Sequence, residues 1–137
     1  INPNRPEFCL TAAGARALLG GGLLELPMAI PLRAALDEAR RAPIPPGFRS
    51  AELMRYGSMA LRYYAPKGAD PQTPHEQDEI YIVASGRGAY VCSGTRVSFG
   101  PGDALFAPAG AAHRFEDFSG DFGTWVVFYG PKGGENG

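Results

Sequence analysis

The fold of this chain is decided by the stretch Thr73-Pro-His-Glu-Gln-Asp-Glu79-Ile-Tyr-Ile-Val-Ala-Ser-Gly86, together with a second stretch, Gly102-Asp-Ala-Leu-Phe-Ala-Pro-Ala-Gly-Ala-Ala-His113. Each stretch contains one of the two histidines of the chain. In the first, a β-branched apolar run follows Glu79 and ends at a glycine, which predicts a strand and a turn. In the second, a short apolar strand is followed by a Pro-x-Gly turn that leads to His113. Two imidazoles and one carboxylate are therefore placed at strand boundaries, where they can meet in space.

Two spacings resemble the signature motifs of the cupin superfamily: Glu79-x6-Gly86, and Gly102-x5-Pro108-x-Gly110-x2-His113. The likeness spans residues 50–130, and the short gap between the motifs is similar to that of small single-domain bacterial cupins. The second motif is complete through its histidine. The first departs from the family pattern of His-x-His before the glutamate, because Thr73 stands where the first histidine is usual.

Composition predicts an all-β domain built from short strands. A chain of 137 residues is long enough for one hydrophobic core, and its 19 glycines and 13 prolines favour tight turns over long helices. The resemblance implies an antiparallel jelly-roll barrel, the double-stranded β-helix of the cupins. The pattern predicts these strands: 51–56, 58–64, 79–84, 88–92, 96–99, 104–107, 113–116 and 123–129.

Two short helices are predicted before the barrel. The first covers residues 11–20, from Thr11 as N-cap through an Ala-rich run to the glycines that follow it. The second runs from Pro31 to Arg41 and carries an apolar stripe at helical spacing. The predicted organisation is an N-terminal helical segment and connector over residues 1–47, a barrel over 48–130 and a flexible tail over 131–137.

The resemblance implies a mononuclear metal site with His75, Glu79 and His113 as ligands. Two neutral imidazoles and one carboxylate leave positions of a divalent ion open to water or substrate, and this ligand set suits Fe, Mn, Ni or Zn alike. Thr73 matches the position of a fourth ligand, but the carbonyl oxygen of Gln72 is the better donor, so we predict Gln72. A turn residue after Asp70 is the equally valid structural interpretation of Gln72.

Tyr81 is the candidate catalytic residue. Side chains alternate along a strand, so Tyr81 shares the face of Glu79 and points toward the same cavity. A phenol there can orient or protonate a substrate. The structural alternative is an aromatic side chain that fills the barrel interior.

These features predict a cupin metalloenzyme, of oxygenase or isomerase type, that acts on a small molecule. The alternative is a non-catalytic cupin that binds or senses a small ligand and uses its metal as a structural brace. The chain lacks the sequence patterns of hydrolase elbows, phosphate loops and dinucleotide folds. We expect a homodimer because related barrels commonly pair.

The net charge and the cysteines predict the classes of binding partner and the cellular compartment of the protein. A net charge of −1 argues against nucleic-acid and membrane partners. Two distant cysteines and an opening stretch without the pattern of a signal peptide predict a reducing cytoplasm.

Overall fold

The computed structural model describes residues 16–19, 22–25 and 30–136, which divide into two compact units between Ile30 and Pro31. In the first unit, β1 (Arg16–Leu19) and β2 (Gly22–Glu25) pair as antiparallel strands. The predicted helix over residues 11–20 is therefore wrong at 16–19, and its remaining residues lie outside the described part of the chain. Antiparallel pairing of 16–19 with 22–25 supplies inter-strand hydrogen bonds that helix propensity does not count, and here this pairing prevails over the helix formers.

The second predicted helix is present but shorter than expected. It is α1 (Leu36–Arg41), and the five residues from Pro31 to Ala35 are not helical. Ala35 is the N-cap, and it has an extended backbone and no side chain that can cap the first turn. Acidic side chains lie in the first turn and basic ones in the last, which suits the helix dipole. One helix rather than two thus accompanies the strands in the described residues.

The second unit is an antiparallel jelly-roll barrel of two sheets, as predicted. One sheet has the strand order β3-β4-β10-β5-β8 and the other the order β7-β6-β9. All eight strands fall within one residue of the predicted bounds: β3 (Ala51–Tyr56), β4 (Met59–Tyr64), β5 (Asp78–Ser85), β6 (Gly88–Cys92), β7 (Thr95–Phe99), β8 (Ala104–Ala107), β9 (His113–Glu116) and β10 (Gly123–Tyr129). The division at residues 47/48 and 130/131 stays a prediction.

The core lies between the two sheets and is rich in aromatic rings. Tyr81 and Val83 of β5 and Val126 of β10 pack in one buried cluster with Tyr90 of β6 and Phe115 of β9. These side chains alternate with outward-facing neighbours, which is why a period of two in the sequence located the strands. No helix in the described part of the chain has the length and apolar character needed to cross a membrane.

The turn after β5 fits glycine alone. Gly86 has a φ of +84°, and a Cβ added to it would lie 2.5 Å from the Cα of Phe122. The backbone of the segment that enters β10 therefore packs directly on this glycine. The motif glycine is thus required both by the turn and by the close approach of two chain segments.

Candidate metal centre

Three segments of the barrel bring the predicted ligands together. Glu79 is the second residue of β5, and His113 is the first residue of β9, after the turn that contains Gly110. His75 lies in the loop before β5. The N–H of Gly110 donates to the carbonyl of His75 at 2.8 Å, so the two ligand-bearing loops are bonded to each other.

His75, Glu79 and His113 form a compact cluster. One candidate ligand atom from each residue lies within 4.8 Å of the others. His75 Nε2 is 3.7 Å from Glu79 Oε1, and His113 Nε2 contacts the same oxygen. The side chains of Glu79 and His113 are each 1% exposed, while that of His75 is 31% exposed. The cluster is thus buried on one side and open to solvent on the side of His75.

With His113 as a neutral imidazole, the cluster contains more hydrogen-bond acceptors than hydrogens to satisfy them, whereas a proton on His113 Nε2 would be donated to Glu79 in place of a cation. The hydroxyl of Tyr81 is 2.8 Å from Glu79 Oε1 and 3.0 Å from His113 Nε2, yet it has one proton to donate. Glu79 Oε2 is buried without a hydrogen-bond partner among the described residues. His113 Nδ1 donates to the carbonyl of Ala111 at 2.8 Å, which leaves the lone pair of a neutral imidazole on Nε2, toward the cluster. A cation at the centre satisfies these acceptors, so the residues fit a metal ion.

Burial and neighbouring charges shift the pKa values of the two histidines in opposite directions and keep the Tyr81 hydroxyl protonated. Burial lowers the pKa of His75, against the attraction of Glu79, so its imidazole is neutral near pH 7. Burial also disfavours the His113 imidazolium, but hydrogen bonds with Glu79 and Ala111 outweigh it and raise the pKa of His113. Burial and the Glu79 carboxylate raise the pKa of Tyr81 well above its usual value, so its hydroxyl keeps its proton.

The amide oxygen of Gln72 faces the cluster, as the prediction of a fourth ligand requires. Gln72 Oε1 is 3.4 Å from His75 Nε2 and 3.0 Å from the Tyr81 hydroxyl. Thr73, the alternative, is exposed and lines the adjoining cavity. Of the two candidates, Gln72 has its donor atom beside the histidines, and its role as a ligand stays a prediction.

Asp70 is a residue that sequence reasoning missed. Its carboxylate accepts hydrogen bonds from the Gln72 amide nitrogen at 2.6 Å, from the Tyr64 hydroxyl at 2.5 Å and from the Phe115 backbone N–H at 2.8 Å. Because the Gln72 nitrogen is held by Asp70, its oxygen points to the cluster. Asp70 precedes a proline in a loop, and this sequence signal is typical of any turn. Only the fold shows that donors from three separate residues converge on it.

A cavity of about 550 Å³ opens beside the cluster. Glu79, Tyr81 and His75 line it, together with Gln72 and three arginines that the sequence analysis did not single out: Arg49, Arg55 and Arg62. A signal for Arg62 was present, because it is a charged residue at an inward position of an otherwise apolar strand. The volume is within the range of small-molecule sites.

An antiparallel jelly-roll barrel with a His/Glu/His cluster beside an open cavity defines a class of small metal-site barrels. The family model described as "Cupin domain" matches residues 60–127. An uncharacterised protein of Streptomyces coelicolor is 36% identical over 83 residues, which cover 59% of this chain and 79% of that protein. The chain belongs to the cupin family.

Solved structures share the fold. A Cupin 2 conserved barrel domain protein from Salinispora arenicola is 22% identical, with a TM-score of 0.53 over 74% of this chain and 90% of that one. A chain from the crystal structures of the DMSP lyases RdDddP and RnDddQII is 25% identical, with a TM-score of 0.52. That match covers 61% of this chain and 47% of the lyase chain, so the chain spans less than half of that protein.

Proposed function

We propose that this cupin is a mononuclear metalloenzyme that acts on a small molecule held in the cavity beside His75. One observation carries the proposal: His75, Glu79 and His113 place their donor atoms within 4.8 Å, with a buried carboxylate oxygen that has no other partner among the described residues. His75, Glu79 and His113 would hold the ion, with Gln72 as the fourth ligand. A divalent metal bound there would supply a Lewis acid and, if it is iron, a redox centre.

Tyr81 is the proton-bearing group of the proposed site. Its hydroxyl stays protonated because burial and the Glu79 carboxylate raise its pKa. It lies 3.0 Å from both Gln72 Oε1 and His113 Nε2, and Tyr81 lines the cavity, so a molecule bound at the cluster would lie beside the hydroxyl. Such a group orients a substrate oxygen or gives it a proton. This favours isomerase-type proton transfer over the oxygenase alternative, which the same ligand set also allows.

Two observations support catalysis over a structural brace. A structural metal ion usually has all its coordination positions filled by protein ligands, whereas His75 is 31% exposed and borders a cavity. In addition, one of the solved structures that the barrel resembles is of enzymes, the DMSP lyases.

The test is the metal content of the purified, untagged chain, measured by inductively coupled plasma mass spectrometry. The native chain should retain close to one equivalent of metal after dialysis, or on reconstitution with Fe²⁺, Mn²⁺, Ni²⁺ or Zn²⁺. The variants His75→Ala and Glu79→Ala should lose it. Glu76→Ala is the matched control, because this exposed neighbour pairs with Lys132 outside the cluster. Equal metal in all four proteins, or none in the native chain, would overturn the proposal.

A second measurement separates the enzyme from a non-catalytic module. Thermal unfolding of the native chain and of His113→Ala is compared, each with metal and with chelator. If metal serves catalysis, the chelated native chain should keep a cooperative transition. If metal is the brace, chelation or loss of His113 should abolish that transition.

A further inference from the structure

Arg62 occupies an interior position of the barrel that ordinarily holds an apolar side chain. It lies on β4 between the inward-facing Ala60 and Tyr64, and it is buried. On β10 the residue opposite Arg62 is Val126, which is itself opposite Tyr81 of β5. Residues opposite one another share a face, so Arg62 and Tyr81 face the same interior. Two strand spacings separate their backbones by about 10 Å.

The guanidinium of Arg62 is fixed in place and retains free donors. It donates to Ser50 Oγ at 2.7 Å, to the Ser50 carbonyl at 2.8 Å and to Glu52 at 3.2 Å. Arginine has five N–H donors, so two remain without a partner among the described residues. The Phe48 ring stacks 4.8 Å from the guanidinium carbon. A planar donor group is thus held rigidly at the wall of the cavity.

The charges around Arg62 do not cancel. Glu52 Oε1 accepts from both Arg62 and Arg55, so one carboxylate serves two guanidinium groups. Arg49 donates to a neutral group, the carbonyl of Pro71. Three arginines therefore line the cavity, and among the described residues Glu52 is the one carboxylate that pairs with any of them.

The two acidic residues that line the cavity, Glu76 and Glu79, have partners other than these arginines. Glu76 pairs with Lys132, and Glu79 belongs to the metal cluster. Arg49, Arg55 and Arg62 consequently bring a net positive charge to the cavity.

Arg49 contacts the loop that contains Gln72, the proposed fourth ligand. The carbonyl that it contacts belongs to Pro71, the residue before Gln72. Arg49 and Arg62 thus both line the cavity that borders the metal cluster.

We propose that the substrate is a small organic acid, whose carboxylate is bound by Arg62 and Arg49 while its reacting end faces the metal centre. Guanidinium groups bind carboxylates through paired, charge-assisted hydrogen bonds, and a half-buried site strengthens them. The proposal rests on the proposed metalloenzyme for the reacting end. The carboxylate subsite itself consists only of residues outside the metal cluster.

The experiment compares acids with their neutral amides of the same shape. Malonate, succinate, glutarate and salicylate, the corresponding amides, and inorganic phosphate are titrated by calorimetry into the metal-loaded and the chelated protein. At least one acid should bind more tightly than its amide by about ten-fold or more, and added NaCl should weaken it. Arg49→Gln and Arg62→Gln should each weaken that acid by about ten-fold or more.

Arg114→Gln is the matched control, because this exposed arginine of β9 pairs with Glu116 and does not line the cavity. It should bind the acid as the native chain does. If Arg62→Gln fails to fold, Arg49→Gln decides the result, since Arg49 is exposed and its side chain, among the described residues, hydrogen-bonds to a backbone carbonyl alone.

The outcomes separate the two proposals. Retained metal with no preference for acids over amides, or with binding of phosphate alone, would overturn the organic-acid substrate and leave the metalloenzyme intact. Arginine-dependent binding of an acid to a chain that retains no metal would support the carboxylate subsite and overturn the metalloenzyme. Equal loss of acid binding in Arg114→Gln would also overturn the assignment, since it would show a general charge effect.

Discussion

The interior of the barrel has two contrasting ends. At the aromatic end, defined here by Phe99, Phe115 and Phe122, ring centroids lie 4.7–5.5 Å apart and the rings fill the space. At the polar end, defined by His75, Glu79 and His113, acceptors converge with too few hydrogens and a cavity stays open. Strand β9 contributes to both ends, with His113 at the polar end and Phe115 at the aromatic end.

The comparison shows that the aromatic end stabilises the fold, whereas the polar end destabilises it in the absence of a ligand. Close-packed Phe rings bury apolar area and have no polar group that needs a hydrogen-bond partner, so the aromatic end stabilises the barrel without a ligand. Buried acceptors without partners destabilise the polar end until something binds there. Substitutions at the aromatic end should therefore change folding, and those at the polar end should change binding.

The largest effect is expected from Phe115→Ala. Phe115 is 2% exposed and contacts both Phe99 and Phe122, so its truncation leaves a cavity in the packed end. We expect a loss of about 3–5 kcal/mol in the free energy of unfolding, measured by urea denaturation. Phe106→Ala is the control, because Phe106 is 50% exposed and its truncation should cost under about 1 kcal/mol. Equal losses in both variants would remove the distinction between packed core and surface.

Gly86→Ala should have the next largest effect, again at the aromatic end. Its φ of +84° strains any other residue, and the new Cβ would clash with the Phe122 backbone. We expect a loss of about 3 kcal/mol in unfolding free energy. Gly110 is the counterpart at the polar end, with a φ of +77° but nothing within 4 Å of its Cβ position.

Gly110→Ala should therefore cost only the backbone strain, about 1–2 kcal/mol. Thermal or urea denaturation of the two variants measures the difference. The same loss in both would mean that the packing on Gly86 contributes nothing and that φ alone selects glycine at these turns.

The strands were predictable because local sequence and tertiary environment agree there. Alternating side chains along 123–129 face either the core or the other side, and the glycines and prolines between strands set the turns. Residues 16–19 were not predictable as a strand, since Ala and Leu are good helix formers. Pairing with 22–25 supplies hydrogen bonds that helix propensity does not count, and so it overrides that preference.

Asp70→Asn tests the link between the two ends, because Asp70 accepts hydrogen bonds from Gln72 at the polar end and from the Phe115 N–H near the aromatic end. An asparagine keeps the shape but loses the charge and one acceptor. We expect metal affinity to fall by about 10- to 100-fold, as for other residues that orient ligands. Titration with Zn²⁺ measures it, with unfolding free energy measured in parallel.

Asp103→Asn is the control for Asp70→Asn. Asp103 accepts from the Gly100 N–H within a turn and has no contact with Gln72. It should leave metal affinity unchanged. An unchanged affinity in Asp70→Asn as well would mean that Gln72 is not a ligand or does not need its orientation fixed.

The site was predictable in part for the same reason. His75, Glu79 and His113 stand at motif spacings, so their meeting followed from the resemblance. Asp70 and Arg62 did not follow, because their roles depend on which distant groups the fold brings to them. Asp70 receives its donors from Tyr64, Gln72 and Phe115, and no spacing in the sequence encodes that convergence.

The smallest effect is expected at the rim of the aromatic end, from Asp121→Asn. The Ser119 hydroxyl donates to the Asp121 carboxylate at 2.7 Å and, with a backbone hydrogen bond, lowers the pKa of Asp121 below its ordinary value of 3.8. A lowered pKa in the folded state stabilises the fold above pH 3.8, and this contribution is lost as the pH falls through the folded-state value. An asparagine cannot titrate, so the variant should be slightly less stable at pH 7 and should converge with the native chain in acid.

Urea denaturation of both proteins from pH 7 to about pH 2.5 measures this convergence. Ser119→Ala should reproduce part of it, because it removes the donating hydroxyl and leaves the carboxylate in place. Curves that stay parallel throughout would exclude the Ser119–Asp121 hydrogen bond as a source of stability. If the unfolding free energies of the two proteins also converge in the presence of chelator, the contribution of the Ser119–Asp121 hydrogen bond does not depend on bound metal.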